Sequence, residues 1–268
     1  MGALLQAAGL SRSTFYYQAK VLEAGDQFAD LKARIQAVYE RHKGRYGYRR
    51  ITAELCRSGQ SVNHKTVQRL MQALGLKSLV RLKKYRSYRG EPASTPNLLD
   101  RQFQAAQPHE KWVTDVTEFN VKGEKLYLSP VMDLFNGEII AYEMQERATF
   151  PLVSSMLKKA LSRLTGQQTP MLHSDQGWQY QMPAYRQRLA AHGLTQSMCR
   201  RGNCLDNAAI ESFFGTLKSE FFRLNKFDSI QQLRQGLRQY IHYYNHDRLK
   251  LKLKGLSPVE YRTQALGR

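Results

Sequence analysis

The hydrophobic periodicity of this chain changes near residue 111, and this change constrains the fold more than any other feature. Before it, apolar side chains recur at helical spacing, as do Leu31, Ile35 and Val38. After it, residues 112–119 alternate in the manner of a strand. The sequence therefore predicts an all-α front part followed by an α/β domain.

The order of predicted elements from residue 112 to residue 222 is βββαβαβα, which is typical of a mixed sheet with helices on both faces. The five predicted strands are 112–119, 127–135, 138–145, 171–174 and 195–198. Asn136-Gly137, between the second and third strands, is a strong hairpin signal. The predicted helices of this part are 151–164, 183–192, 206–222 and 229–247.

The front part contains the pattern of a helix-turn-helix. The predicted helices are 12–20, 28–42, 48–57 and 64–74, and a glycine turn at 58–60 precedes the last one, which Asn63 caps. In a DNA-binding motif of this kind the second helix enters the major groove. Its solvent face would present four candidate DNA contacts: His64, Lys65, Gln68 and Arg69. An ordinary helical hairpin with a polar face remains the alternative.

The charge balance indicates a polyanionic partner. The 268 residues include 41 Lys and Arg against 22 Asp and Glu, a net charge of +19, and 18 of those cations lie in residues 1–100. Nucleic acid is the first candidate and an anionic membrane surface the second. No apolar run approaches the roughly 18 residues of a membrane span, and no signal-peptide pattern is present. We therefore expect a cytoplasmic protein that associates with DNA in the nucleoid and not with a membrane.

A basic and aromatic segment separates the two parts. Four of its cations are candidate contacts to phosphates and bases: Lys83, Lys84, Arg86 and Arg89. The Pro-containing stretch 91–97 fits no regular element, and a solvated tether without a ligand is the alternative. The predicted domains are a helix-turn-helix region, 1–76; a linker, 77–110; a catalytic core, 111–250; and a C-terminal tail, 251–268.

Three carboxylates are candidates for a metal site. Asp115 lies within the first predicted strand, Asp175 ends the fourth strand before a glycine turn, and Glu211 lies in an apolar stretch of a helix. A carboxylate cluster repels itself unless a cation is present, and oxygen ligands suit Mg²⁺ or Mn²⁺. Two such ions would support phosphoryl transfer. The alternative for each acid is a cap, a turn or a surface charge; Asp206 fits a helix N-cap and Asp133 a structural role.

Other polar residues surround these acids in the sequence. Asn207 and Lys218 lie four residues before and seven after Glu211, which places them on one helix face. The preceding loop carries Arg200 and Arg201, which suit a DNA backbone. The three cysteines, Cys56, Cys199 and Cys204, include no CxxC pair, which argues against a disulfide framework and against a zinc site.

These stretches resemble the DDE transposases of bacterial insertion sequences. Among these, they are most similar to the second-frame product of the IS-three family. The matching motifs are Trp112-Val-Thr-Asp-Val-Thr, Val131-Met-Asp-Leu-Phe, His173-Ser-Asp-Gln-Gly and the segment from Gly202 to Lys218, with the front segment Gly44–Ile51 and the tail motifs Tyr244–Arg248 and Leu256–Pro258. The gap of thirty-five residues from Asp175 to Glu211 also matches the family. The resemblance covers roughly residues 30–262.

The resemblance implies an integrase-like core with an RNase H fold. It implies that Asp115, Asp175 and Glu211 bind the metals, and that Lys218 contacts the DNA end with Asn207 beside it. Water would nick the element's end, and the freed 3′-hydroxyl would attack a second phosphodiester, commonly through a circular intermediate. The expected partners are the terminal inverted repeats, target DNA and further copies of the chain.

Two departures and two alternative functions accompany this interpretation. The chain shows no His/Cys zinc motif of the retroviral integrases and no leucine-zipper heptads. The family's transposase is commonly a frameshift fusion, so an upstream-frame segment or partner is expected. The alternatives are a DNA-binding regulator with a silent core and an RNase H-like nuclease that cuts without joining.

Overall fold

The structure is a computed structural model, and it describes residue 5 and residues 11–23, 26–80, 95–200 and 204–267. The chain divides into two compact units, Met1–Leu79 and Val80–Arg268. No helix within the described residues has both the length and the apolar character needed to cross a membrane.

The first unit is helical. Its helices are α1 (Arg12–Glu23), α2 (Ala29–Arg41), α3 (Tyr48–Arg57) and α4 (His64–Ala73). Apolar side chains at helical spacing meet in its interior, where Ile35, Ile51 and Val67 are fully buried. The Asn63 side chain accepts a hydrogen bond from the backbone N–H of Lys65 at 2.8 Å, so the predicted cap of α4 is confirmed.

The second unit is a mixed sheet with helices on both faces, as predicted. Its strands are β1 (Lys111–Thr114), β2 (Thr117–Val121), β3 (Glu124–Asp133), β4 (Ile139–Gln145), β5 (Met171–Ser174) and β6 (Thr195–Met198). Its α-helices are α5 (Phe150–Leu161), α6 (Trp178–Gln181), α7 (Pro183–Ala191), α8 (Ala208–Glu220), α9 (Ile230–His246) and α10 (Pro258–Ala265).

The first predicted strand is wrong as a continuous element. It divides into β1 and β2, which pair antiparallel with different halves of β3, through Trp112↔Asp133 and Thr117↔Leu128. The sheet has six strands for that reason, although β1 and β2 share one position. The carboxylate of Asp115 accepts a hydrogen bond from the N–H of Val116 at 2.7 Å, and such a local bond competes with the strand ladder.

The remaining pairing brings the carboxyl ends of two strands side by side. β4 pairs with the other edge of β3, while β5 is parallel to β1 on one side and to β6 on the other. The order across the sheet is therefore β4, β3, β1 with β2, β5 and β6. Since β1 and β5 run in the same direction, Asp115 and Asp175 follow the same edge of the sheet.

Alternation along the strands divides the core into two layers. Val113 faces the side where α8 and α9 contribute Phe213 and Leu237. The neighbouring Trp112 faces the opposite side, where α5 and α7 pack. The strands that carry the polar groups described below therefore lie between two layers of apolar side chains.

Two segments outside the predicted core boundaries of 111–250 pack onto this unit. Leu99 is buried, and the backbone N–H groups of Leu98 and Leu99 donate to Ser197 Oγ at 2.9 and 3.2 Å. The tail forms helix α10, which the sequence did not predict; Ser257 and Glu260 form its capping box. Residues 95–110 of the predicted linker and the tail thus belong to the second unit, whereas residues 77–79 belong to the first.

Candidate active site

Asp115 lies in the break between β1 and β2, where the chain leaves the sheet. The preceding Thr114 is fully buried, and its hydroxyl donates to the carbonyl oxygen of Pro130 at 2.8 Å. This bond anchors the end of β1 to the neighbouring strand β3. The side chain of Asp115 is therefore held at a defined place on the sheet edge, although it lies outside the strand in which the sequence placed it.

Asp175 follows β5 directly, beside the end of β1. Its Oδ1 accepts a hydrogen bond from the N–H of Gly177 at 3.0 Å, which closes a tight turn. A Cβ on Gly177 would lie 3.0 Å from Asp175 Oδ1, so glycine gives the turn the room that this carboxylate needs. The strand-end position predicted for Asp175 is confirmed.

Glu211 lies in the first turn of α8 and is partly exposed. The opposite face of α8, with Ile210, Phe213 and Leu217, is buried in the core. The start of the helix is also tied to the sheet, because Asn207 Nδ2 donates to the carbonyl oxygen of Thr114 at 3.1 Å. The bond fixes the beginning of α8 beside the residue that precedes Asp115.

Burial and nearby charge raise the pKa values of Asp115 and Asp175. Burial, together with the negative charges of Asp175 and Glu211, raises the pKa of Asp115 to about 7, although the N–H of Val116 opposes the shift. Burial likewise raises the pKa of Asp175. At neutral pH the Asp115 carboxyl group therefore binds a proton more readily than an ordinary aspartate, first because of burial and second because of nearby negative charge.

Lys218 is a cation whose charge acts on the Asp115 carboxylate. It lies seven residues after Glu211 on the same face of α8 and is half-buried. Its positive charge opposes the rise in the pKa of Asp115. Burial, and then the charge of Arg223, lowers the pKa of Lys218 itself. Its ammonium group lies 5.5 Å from the centre of the Phe119 ring. The single face predicted for Glu211 and Lys218 therefore places the lysine on the side of the carboxylates.

The chemistry of the donor set fits a divalent cation of the Mg²⁺ class. Besides the three carboxylates, Asn207 contributes a buried amide oxygen that accepts no hydrogen bond from the described residues. Oxygen ligands of this kind suit Mg²⁺ or Mn²⁺ better than zinc. Within the same described ranges, however, no three acidic, His or Cys side chains stand close enough together to hold an ion.

Several predicted contacts occupy other environments. Asn207 is only 3% exposed, so it holds Thr114 and does not present its amide to solvent. Asp206 does not cap α8: it is buried and receives hydrogen bonds from Arg101 and from the side chain and N–H of Arg200. Burial would raise the pKa of Asp206, but those hydrogen bonds outweigh burial and lower the pKa to about 2. Arg200 is therefore partly committed to an ion pair.

The predicted contacts on α4 are all exposed, as the helix-turn-helix interpretation requires: His64, Lys65, Gln68 and Arg69. Arg69 lies over the ring of Phe28 at 5.2 Å, so it also packs within the first unit. The remaining predicted DNA contacts lie outside the described residues: Lys83, Lys84, Arg86, Arg89 and Arg201.

A buried polar network supports the strand that carries Asp175, and the sequence indicated only part of it. His173 Nδ1 contacts Ser197 Oγ at 2.8 Å and Nε2 contacts Cys199 Sγ at 3.2 Å. Burial lowers the pKa of His173 to about 4, so the ring is neutral near pH 7. The sequence shows polar residues at the end of this strand, where a core needs none, but the partners of His173 on β6 and after it carry no local signal.

Tyr180 is a site neighbour that the sequence did not reveal. Its ring is fully buried and meets Tyr185 edge to face at 5.5 Å. Burial, followed by the charges of Asp115 and Asp175, raises its pKa well above the ordinary value, so the hydroxyl stays protonated. Asp133, by contrast, has the structural role predicted for it: it accepts hydrogen bonds from the N–H groups of His109 and Phe135 and from Arg262.

Comparison with known proteins places this arrangement in a family. Residues 105–204 and 211–266 match models described as integrase core domain, and residues 27–84 match an HTH-like domain. The chain is 56% identical, over 97% of its length and 93% of the relative's, to the putative transposase InsK of insertion sequence element IS150 of Escherichia coli. It is 35% identical to the transposase InsF of IS3A of Escherichia coli, over 87% and 82% of the two chains.

Among solved structures, the catalytic core domain of HTLV-2 integrase in complex with magnesium is similar to 59% of this chain, and the match covers 98% of the integrase core. The TM-score is 0.48 at 16% identity. The fold and the matched domains define an integrase-core protein with a helix-turn-helix-like DNA-binding unit. The chain belongs to the IS-three family of insertion-sequence transposases.

Proposed function

We propose that this chain is a DDE-type polynucleotidyl transferase that nicks the ends of an insertion element and joins them to a second DNA site. The observation that carries the proposal is that burial and the charges of Asp175 and Glu211 raise the pKa of Asp115 to about 7. Partly buried acids that repel one another are a recurring feature of sites that work with a cation.

Asp115, Asp175 and Glu211 would hold Mg²⁺, or Mn²⁺ in its place, and the proposal takes two ions. When bound, such ions supply the positive charge that activates an attacking oxygen and neutralises a leaving one. The chain itself contributes position: the tie between Asn207 and Thr114 keeps the start of α8 against β1. Lys218 would contact a phosphate of the DNA end, since its charge already acts on Asp115.

Two phosphoryl transfers make up the reaction. In the first, water attacks phosphorus at the element's end, the bond to the bridging 3′ oxygen breaks, and a free 3′-hydroxyl remains. In the second, that hydroxyl attacks phosphorus in another phosphodiester and displaces the 3′ oxygen there. No net oxidation or reduction occurs in either step, so positioning and charge neutralisation suffice.

DNA binding by the first unit would deliver the substrate. The exposed face of α4, formed by His64, Lys65, Gln68 and Arg69, would enter the major groove of the terminal inverted repeat. The cations outside the described residues, from Lys83 to Arg89 and at Arg201, would bind the phosphate backbone with Arg200. Further copies of the chain on DNA, and an upstream-frame segment or partner, complete the proposed assembly, which would act at the nucleoid.

The test is cleavage and joining of a labelled duplex that carries the element's terminal repeat. The wild type should give nicked and joined products with Mg²⁺ or Mn²⁺ and none with a chelator. Asp175→Asn and Glu211→Gln should abolish both products and leave DNA binding intact. Asp228→Asn is the matched control. Asp228 is an exposed carboxylate that pairs with Lys122 and is not one of the three proposed metal ligands.

Three other outcomes would contradict the proposal. Normal cleavage by Asp175→Asn would refute the site assignment. Nicks without joined products would indicate a nuclease. Tight binding without cleavage, also after the upstream-frame product is added, would indicate a DNA-binding regulator.

A further inference from the structure

Helix α1 (Arg12–Glu23) carries a polar and cationic surface that the proposed reaction does not use. Ser11 caps the helix, because the N–H of Thr14 donates to Ser11 Oγ at 3.1 Å and the N–H of Phe15 donates to the Ser11 carbonyl oxygen at 3.0 Å. The match to the HTH-like domain begins at residue 27, so α1 lies outside it. The DNA contacts proposed for α4 leave α1 without a role.

The sequence before α1 repeats the pattern that precedes α4. Gly9 and Ser11 stand before α1 as Gly59 and Asn63 stand before α4, a glycine followed in each case by a polar cap. Residues 3–8 are mostly apolar and predict a short helix in front of Gly9. A helix, a glycine turn and a capped helix together make the helix-turn-helix layout, in which α1 would be the second helix.

Exposed side chains form a stripe along α1. Arg12, Tyr16 and Lys20 follow one another at intervals of four residues, which places them on one helix face, and Ser13 and Tyr17 form the next row. Tyr16 is 60% exposed and Tyr17 is 67% exposed, more than any other large apolar side chain of the described residues. A single exposed aromatic ring is ordinary, but two neighbouring rings between two cations make a surface suited to a partner.

The charge of this stripe is positive and uncompensated. Arg12 and Lys20 are the only charged side chains before Glu23, the first acid of the chain. No carboxylate of the described residues pairs with either cation. The other exposed side chains described for α1 all carry a hydroxyl group: Ser13, Thr14, Tyr16 and Tyr17. Cations and hydroxyl donors are groups that bind the phosphates and base edges of DNA.

The dimensions of α1 fit a major groove. Arg12 and Lys20 lie about 12 Å apart along the helix axis, and the major groove of B-form DNA is about 12 Å wide. The two cations can therefore reach phosphates beside the groove while the tyrosine side chains meet base edges within it. A helix with its side chains is about 10–12 Å across, so α1 and α4 cannot occupy the same stretch of groove.

Two other occupants fit this face less well. A helix that lies on a membrane buries an apolar face, and no aliphatic side chain is among the exposed ones described for α1. The centre of a protein interface favours tyrosine but is depleted of lysine, whereas Lys20 lies in the same row as Tyr16. DNA gains from both the cations and the hydroxyl groups.

We propose that α1 is a second DNA-binding helix, which lies in the major groove of the element's end at a stretch separate from that read by α4. Arg12 and Lys20 contact phosphates, and Tyr16 and Tyr17 contact base edges. The proposal rests on the proposed function in that the terminal repeat is the ligand. Two helices on one repeat lengthen the sequence that the first unit recognises.

The first test is hydroxyl-radical footprinting of the full chain, without divalent metal, on a duplex that carries the element's terminal repeat. The wild type should protect two separate stretches. Tyr16→Ala/Tyr17→Ala should lose one stretch and keep the other. This variant should also lower the ratio of the affinities for the repeat and for random DNA by about fivefold or more, the size of one lost base contact. Gln68→Ala should weaken protection of the other stretch.

The second test is fluorescence anisotropy with the same duplex over a range of salt. Arg12→Gln/Lys20→Gln should make the slope of log affinity against log salt shallower by about 2, one for each lost phosphate contact. Arg12→Lys should keep the wild-type slope. Lys43→Gln/Lys252→Gln removes two exposed cations outside α1 and α4 and should also leave the slope unchanged.

A single protected stretch in the wild type, or an unchanged footprint in the tyrosine variant, would overturn the proposal. Loss of binding to the upstream-frame product by the tyrosine variant, with DNA binding intact, would overturn it in favour of a protein partner. Two protected stretches in a wild type that cleaves no DNA would support the role of α1 and contradict only the proposed function.

Discussion

The Asn207 amide donates to the carbonyl oxygen of Thr114 at 3.1 Å and so joins the start of the helix carrying Glu211 to the strand that precedes Asp115. The two residues are 93 positions apart in the chain, and both are buried. The bond therefore helps the packing of α8 to set the separation of the two carboxylates.

Asn207→Ala should therefore lower the rate of DNA cleavage more than a control variant does that loses a similar amount of stability. Loss of the bond leaves the carbonyl of Thr114 without this donor, at a cost of about 1–3 kcal/mol in the free energy of unfolding. Asn225→Ala is the control, because its amide also donates to a backbone carbonyl, that of Phe221. Urea unfolding and single-turnover cleavage should separate the variants; equal activity in both would contradict the positioning role.

Asp115 should make the metal-free protein less stable as the pH rises. Its pKa is about 7 when folded, against an ordinary value of 3.8, so the folded chain keeps a proton that the unfolded chain loses between about pH 4 and 7. The free energy of unfolding falls across that window. Asp115→Asn removes the penalty and should be more stable than the wild type at pH 8, by on the order of 4 kcal/mol at most, and by less at pH 5.

Chelator-treated protein, unfolded in urea at both pH values, provides the measurement. Added Mg²⁺ should raise the stability of the wild type more than that of the Asn variant. A stability difference that does not depend on pH would refute the raised pKa.

Breaking the buried ion pair between Arg248 and Glu220 should destabilise the second unit strongly. The pair has two bonds of 2.7 Å, and the hydroxyl of Tyr240 donates to the same carboxylate at 3.0 Å. Arg248→Met leaves a buried carboxylate with the hydroxyl but without its cation, and should cost about 3–5 kcal/mol. The double variant Arg248→Met/Glu220→Met should cost less than the sum of the single changes. Additive costs in urea unfolding would indicate no coupling.

Lys65→Gln should weaken DNA binding evenly across sequences and reduce the salt slope by about 1, as for the loss of one phosphate contact. Gln68→Ala should instead weaken binding to the terminal repeat more than to random DNA, because amide side chains read base edges. Lys43→Gln, an exposed cation on the turn after α2, is the control. Equal losses on both duplexes for Gln68→Ala would argue against base readout by α4.

Local sequence signals predicted most of the elements. The strands 171–174 and 195–198 and the helix 48–57 form with the predicted bounds, since their periodicity and flanking turn residues agree. The break at Asp115 was not predicted, because a bond from a carboxylate to the next N–H leaves the alternation of neighbouring residues intact. The helix after Pro258 was missed for another reason: its capping box is local, but the side chain that docks it, Arg262, reaches Asp133 across 129 positions.

By itself the sequence determined the class of fold, the motifs of the family, and the acids and cations that the chemistry requires. Their proximity was decided by tertiary structure, because parallel pairing of β1 with β5 and the packing of α8 bring distant residues to one edge. The same holds for the raised pKa of Asp115, which depends on burial and on charges far away in the chain.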